Sequence, residues 1–196
     1  MVFKPTLGVH NLSLWFYCAR LCYLTTIKKV EVWDEKFIIG DNIHNWFIQH
    51  PNIDLPFNVE LEFNGYLIKG LPDGVIKTKH GLQPIEFKSY PTNKNWVYVN
   101  QFQIQLYTYM FIKNNLTTNP IGYLVNLTNV GLTTQKIILP FNFEKILDEI
   151  LTNLTWVNLP PCKPNKCKNC LIKSICEKYF SKNKKGGMKN VVLHHF

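Results

Sequence analysis

Residues Gly70–Tyr90 read "GLPDGVIKTKHGLQPIEFKSY". Two short strand-like runs, "DGVIKTK" and "LQPIEFKSY", flank His80-Gly81, which reads as a two-residue hairpin turn because Gly81 tolerates a positive φ. That turn sets Asp73 opposite Lys88 and Val75 opposite Glu86. Side chains alternate along a strand, so Asp73, Glu86 and Lys88 all project from one face. Directly opposed Cβ atoms sit about 5 Å apart and diagonal ones about 7–8 Å. Two carboxylates at that separation can share a small hard cation such as Mg²⁺ or Mn²⁺, with a backbone carbonyl and waters filling the shell. A lysine beside the cation can orient a hydroxide and stabilise charge that develops on phosphorus. The bland alternative is a cross-strand surface ion pair, which stabilises little.

The next long apolar segment is 96–114, "WVYVNQFQIQLYTYMFIKN", too long for a strand and read as a largely buried helix. Within it Gln101, Gln105 and Tyr109 step by four and form one line. That strip either faces solvent or lines a cleft beside Glu86, where Gln105 and Tyr109 would hold Lys88, a water or a phosphate. Upstream, 11–24 and 36–50 read as helices, the second ended by Pro51 and carrying His44. "FNVELEFNGYLIKG" is a hairpin around Asn64-Gly65. "IGYLVNL" and "TQKIILP" are strands, and "NFEKILDEILTNL" has helical spacing. Helices, several strands, a helix, two strands and a helix make a mixed α/β or α+β core around a central sheet.

The distal segment "CKPNKCKNCLIKSIC" holds Cys162, Cys167, Cys170 and Cys176, while Cys18 and Cys22 lie one helical turn apart near the start. No leader-like apolar segment opens the chain, so an intracellular, cytoplasmic location is expected, where clustered thiols hold Zn²⁺ or an iron–sulfur cluster more often than they pair. A cysteine from the first helix joining three from the end would clip the termini together. The spacing leaves zinc and iron–sulfur both open.

Of the net charge of +9 over 196 residues, the stretch Lys163–Lys189 carries nine lysines and one acid, Glu177. Such a segment attracts phosphate backbones, or it offsets the negative charge of thiolates nearby. No apolar run is long enough to span a membrane.

These stretches, taken together, resemble one family. "GLPDGV", "IEFKSY" and "QLYTY" are similar to the motifs of PD-(D/E)xK nucleases of the RecB type. "YCARLCYL" and "CKNCLIKSIC" resemble its iron–sulfur branch, the CRISPR-associated exonuclease Cas-four and its virus-encoded relatives, and "GDNIH" resembles the branch's Gly-x-x-x-His element. The motifs follow family order from Ser13 to about Phe180. The resemblance implies a restriction-endonuclease-like core with a central mixed sheet flanked by helices, capped by a Cys-rich cluster segment joining the two termini. It implies that His44, Asp73 and Glu86, with the backbone of Ile85 or Phe87, bind Mn²⁺ or Mg²⁺. Lys88 would be catalytic, supported by Gln105 and Tyr109, and Cys18, Cys167, Cys170 and Cys176 would hold a four-iron four-sulfur cluster, with Cys162 as an alternative ligand.

On this reading residues 1–35 supply the first cluster cysteine, 36–158 form the nuclease core, 159–180 the cluster segment and 181–196 a basic tail. The expected substrate is DNA, especially single-stranded ends attacked with 5′ polarity, in CRISPR spacer acquisition or in recombination and repair. CRISPR adaptation or recombination proteins, and further copies of the chain, are the partners implied. Ala19 stands where the family often has proline after its first cysteine. Two other readings are a non-catalytic DNA-binding module stapled by metal and a nuclease subunit of a helicase–nuclease assembly.

Overall fold

The computed structural model describes residues 4–31, 54, 57–88, 96–128, 131–154, 167, 170 and 172–181. In chain order these form β1 (Thr6–Gly8), α1 (Val9–Ser13), a 3₁₀ turn (Leu14–Phe16), α2 (Ala19–Thr26), β2 (Val59–Phe63), β3 (Tyr66–Gly70), β4 (Gly74–Thr78) and β5 (Gly81–Lys88). They continue as α3 (Val97–Lys113), β6 (Ile121–Thr128), β7 (Gly131–Ile138), α4 (Phe143–Asn153) and α5 (Lys173–Ser181). The expected helix over 36–50, with His44, lies outside the described residues.

The described strands form two mixed sheets where the sequence suggests one central sheet. One has the order β1-β3-β2, and the other β4-β5-β6-β7. β1 was hidden in the sequence because it is three residues long and pairs in parallel with a strand some sixty residues away, Gly8 opposite Lys69. The chain passes from the first sheet to the second through Leu71, Pro72 and Asp73. Asp73 therefore stands at the transfer point, with the buried Pro72 fixing the approach.

Asn64 and Gly65 take φ of 47° and 80°, the turn expected between β2 and β3. The second hairpin differs from expectation. Thr78 pairs with Gly81 and Gly74 with Ile85, so the turn residues are Lys79 and His80. Gly81 follows the turn with φ of 105°. A type I turn followed by a positive-φ glycine explains this choice: neither Lys79 nor His80 needs the left-handed region, and Gly81 alone takes it. Gly81 is also pinned from outside. A Cβ there would run into the Leu116 carbonyl oxygen, and Leu82 N–H donates to that oxygen at 2.8 Å.

Leu116 is in place because α3 ends in a Schellman cap. Asn115 takes φ of 57°, its N–H donates to the Ile112 carbonyl and the Leu116 N–H to the Phe111 carbonyl. Thr117 and Thr118 then donate to the His80 carbonyl. The tip of the β4–β5 hairpin is thereby tied to the C-terminal end of α3.

β5 and β6 pair in parallel, Glu86 opposite Leu124, which requires a crossover, and α3 supplies it. α3 is buried on most sides, as its apolar sequence predicts. Phe102 stacks on Phe143 at 5.4 Å between centroids, and Tyr109 meets the same ring at 5.3 Å, so α4 is anchored on α3 by aromatic contact.

The first helix expected over 11–24 is broken. Cys18 is extended, with φ of −160° and ψ of 113°, and caps α2. The break lets Tyr17 stack on Trp96 at 4.9 Å while Leu12, Leu14 and Trp15 enter the core. At the other end of the chain α5 packs on α2. Tyr23 meets Phe180 at 6.3 Å and the Arg20 guanidinium lies 4.7 Å above the Phe180 ring. The two ends of the described chain do meet. Among the described residues no helix is long and apolar enough to cross a membrane.

Candidate active site

Asp73 precedes β4 and Glu86 and Lys88 lie near the end of β5, so one hairpin delivers three charges to one place. The turn sits one residue earlier than the sequence reading has it, which moves each cross-strand partner by two positions. That even shift leaves the same side chains on the same face. Asp73 Oδ2 accepts the Phe87 backbone N–H at 2.7 Å, which locks the start of β4 against β5. Lys88 Nζ donates to Glu86 Oε2 at 2.9 Å.

Glu86 is 1% exposed. Its Oε2 accepts from both Lys88 and Gln103, the latter at 3.0 Å, whereas its buried Oε1 has no hydrogen-bond partner. Burial pushes the Glu86 carboxyl up to about 8, and the Asp73 charge within hydrogen-bonding reach adds to the shift, while Lys88 opposes it. For Lys88, desolvation pulls the ammonium down, but Glu86 and Asp73 outweigh it and hold it above its ordinary value. Two carboxylates this close, one with an unsatisfied buried oxygen, are mutually repulsive until a proton or a cation joins them. The donor set is all oxygen, which suits Mg²⁺ or Mn²⁺.

The helix contributes different residues from those the sequence suggests. Gln105 turns away, its Nε2 donating to the Ile138 carbonyl at 3.1 Å. Tyr109 packs among Phe63 and Phe143 with Lys113 Nζ 5.1 Å from its ring. Both lie apart from the carboxylates. In their place stand Gln103 and Tyr107. Gln103 bridges, donating to Glu86 and accepting from Lys88 at 3.3 Å. Tyr107 donates from its hydroxyl to the Leu71 carbonyl at 2.9 Å, two residues before Asp73. Burial, then the charges of Glu86 and Asp73, raise the Tyr107 phenol well above its ordinary value, so it stays a neutral donor.

A signal for this pair was present. Asn100, Gln103 and Tyr107 step by three and four, which follows a helix face straight, whereas steps of four drift by about 40° each. All three are buried, and Gln103 and Tyr107 reach the hairpin and the segment leading to it. Tyr107 also explains Gly70, where a Cβ would lie 2.5 Å from the Tyr107 ring and 2.7 Å from Val9 Cγ2.

A second cluster lies where α2 meets α5. Cys18, Cys167, Cys170 and Cys176 line one cavity of about 230 Å³, with Arg20, Leu21, Ile172 and Lys173 among the other walls. Cys18, Cys170 and Cys176 are not in disulfides, whereas Cys167 is. Burial raises Cys176, which Arg20 partly opposes. Cys22 belongs to the core instead: it is fully buried, its thiol is pushed up to about 12 by burial, and it lies 3.8 Å from the Leu12 carbonyl oxygen. Cys162 and His44 lie outside the described residues. Among the described residues no three His, Cys, Asp or Glu side chains already stand at ligating distance of one point.

A model of the PD-(D/E)XK nuclease superfamily matches residues 36–177, which takes in the whole Asp73–Lys88 hairpin and α3. The chain belongs to the PD-(D/E)XK nuclease superfamily. Its fold is also similar to that in the crystal structure of SSO0001, with a TM-score of 0.65 at 22% identity, over 91% of this chain and 88% of that chain. No curated protein matches the chain. Membership of the superfamily implies nuclease chemistry for the chain, and the mixed sheets flanked by helices accord with a restriction-endonuclease-like core.

Proposed function

We propose that the chain is a Mg²⁺- or Mn²⁺-dependent DNA exonuclease that attacks single-stranded ends, with 5′ polarity. The observation that carries the reading is the Asp73–Glu86–Lys88 group, in which Glu86 Oε1 is buried without a partner beside a second carboxylate. Asp73 and Glu86 would hold the cation, completed by the Ile85 or Phe87 backbone and by His44. The cation supplies Lewis-acid stabilisation of phosphate charge and a more acidic water. Lys88, partly exposed, orients the attacking water and faces the charge that builds on the phosphate oxygens. Gln103 fixes the positions of both Glu86 and Lys88. Tyr107 fixes the backbone leading to Asp73.

We further infer that Cys18, Cys167, Cys170 and Cys176 hold a four-iron four-sulfur cluster, zinc being the other outcome to test. Their arrangement around one cavity, next to the only arginine of the chain, supports it. Cys167 must be reduced to serve. DNA trimming before capture into CRISPR arrays, or recombination and repair, is the setting this reading favours.

The deciding experiment incubates end-labelled single- and double-stranded DNA with Mg²⁺ or Mn²⁺, wild type beside Lys88→Ala. Stepwise shortening of the single strand by wild type alone is expected. Equal cleavage by both proteins would sink the assignment.

A further inference from the structure

Trp96 caps the start of α3 with a helical backbone, φ of −100° and ψ of −11°, and its carbonyl accepts the Asn100 N–H at 3.0 Å. It therefore begins the line that runs on through Asn100, Gln103 and Tyr107 in steps of four, three and four. Contacts of α3 with the hairpin follow in spatial order. Leu116 holds the tip, Tyr107 reaches Leu71, and Gln103 reaches Glu86 and Lys88. Trp96 lies on the same face as Gln103 two turns further on, about 10 Å along the axis. That places it beyond Lys88, where β5 ends.

Tyr17 stacks on Trp96, the ring centroids 4.9 Å apart and the planes 18° from parallel. Its neighbour Phe16 lies against Phe102 at 4.9 Å, so the turn carrying Tyr17 is held on α3 at two points. The stacked pair differs from the aromatic and apolar groups around it. Trp15, Val99 and Phe102 are buried, whereas Tyr17 and Trp96 are only half-buried. The result is a fixed, flat ring pair, partly open to solvent, just outside the carboxyl end of β5. In sheets with parallel pairing, as between β5 and β6, that end is where ligands bind.

We infer that the Tyr17–Trp96 stack is a base-stacking platform for the single-stranded end of the substrate, next to Lys88. The inference rests on the nuclease reading above and deepens it by giving the preference for single strands a structural cause. A strand with a phosphate at Lys88 carries its bases across the adjoining surface. An aromatic face there holds any base, because every base has a π-face, so no sequence preference is implied. In a duplex the bases are already stacked on one another and paired, and must be unstacked before they can use the platform. Tyr98 supplies the contrast. It is 57% exposed, but two residues from Trp96 is about 200° around the helix, so it points away from the line that carries Gln103.

The test measures anisotropy of a fluorescein-labelled single-stranded oligodeoxynucleotide of mixed sequence, and of its blunt duplex, in chelator. Wild type, Trp96→Leu, Trp96→Phe and Tyr98→Leu are compared, with a melting curve for each. Trp96→Leu, which keeps apolar bulk and loses the π-face, is expected to raise Kd for the single strand about 5- to 100-fold, the worth of one stacked base, and to move Kd for the duplex less than about two-fold. Trp96→Phe should recover a good part, and Tyr98→Leu should bind as wild type does. With Mn²⁺ added, KM for the single strand should rise with Kd, and kcat should fall by less than KM rises. A single-strand Kd for Trp96→Leu within about two-fold of wild type overturns the inference. Equal losses on single strand and duplex overturn it too, as does an equal loss in Tyr98→Leu. Failure of both Trp96 variants to fold assigns the ring to the core and has the same result. A wild type that shortens no DNA removes the nuclease reading, while the binding arm, run without metal, still decides the platform by itself.

Discussion

Gln103 Nε2 donates to Glu86 Oε2 at 3.0 Å while its Oε1 accepts from Lys88 at 3.3 Å. One amide thereby braces a carboxylate and an ammonium that also pair directly with each other at 2.9 Å. Gln103→Ala removes the amide from both Glu86 and Lys88. It is expected to lower cleavage about 10- to 100-fold and stability by ~1–3 kcal/mol, for the loss of charge-assisted hydrogen bonds in a buried place. Gln105→Ala, which loses one exposed bond to Ile138, should change activity little. Steady-state cleavage rates and denaturant melts of the two variants decide between the two glutamines, and the reverse ranking would refute the geometry.

Asp73→Ala and Lys88→Ala should each abolish cleavage, by three orders of magnitude or about that, while the fold survives. Asp73→Ala also frees the Phe87 N–H, so it should melt at lower temperature than Lys88→Ala relative to wild type. Circular dichroism alongside a cleavage assay reads both effects.

Glu86 gives the metal-free protein a defined pH response. Its folded pKa, about 8, lies above the ~4.3 of an unfolded chain. The folded state binds the proton more tightly, so the contribution of Glu86 to stability is complete below pH ~4.3 and is lost as pH rises toward 8. In chelator, the melting temperature of Glu86→Gln minus that of wild type should therefore grow from pH 5 to pH 8, by an amount on the order of a few kcal/mol in stability. Mn²⁺ should stabilise wild type most at the high end of that range, because the cation replaces the proton. A difference that shrinks with rising pH would contradict the burial of Glu86.

Gly81→Ala meets two obstacles together, φ of 105° and the Leu116 carbonyl. It is expected to cost ~2 kcal/mol or more, well beyond the ~1 kcal/mol typical of a glycine whose only difficulty is its φ. Gly65→Ala, with φ of 80° and open space around it, serves as the milder reference. Urea denaturation of both gives the ranking.

Protein purified without oxygen under reducing conditions should be brown, absorb near 400 nm and lose the colour in Cys18→Ser, Cys170→Ser or Cys176→Ser. Cys22→Ser should keep the metal and lose stability, since that thiol is a buried core group. Colourless protein with one zinc per chain would exclude the iron–sulfur reading.

The hairpin, the long helix and the three charges were legible because period and composition are local properties. The turn at 79–80 was missed because His80-Gly81 satisfies the commoner two-residue rule, whereas the true turn depends on Leu116, a partner thirty-five residues on. The three charges share one face despite that error because strand faces depend on parity. Gln105 and Tyr109 lie away from the three charges, the first on the Ile138 carbonyl and the second among Phe63 and Phe143. Gln101, Gln103, Gln105, Tyr107 and Tyr109 offer the same spacing twice, and only the packing of α3 on the hairpin picks one. β1 and the break at Cys18 depend on tertiary partners, Lys69 and Trp96, that no local window contains.

The hairpin is fastened to α3 at both extremities, through Gln103 and Tyr107 near the charges and through Leu116, Thr117 and Thr118 at the tip. A beam clamped at two points cannot pivot about either one. The cation would therefore meet carboxylates whose freedom was already surrendered during folding, and ordering them adds little to the entropy lost on capture. Such a centre should bind its metal fast and with small structural response, and amide exchange in β4 and β5 should be slow and nearly the same with and without Mn²⁺.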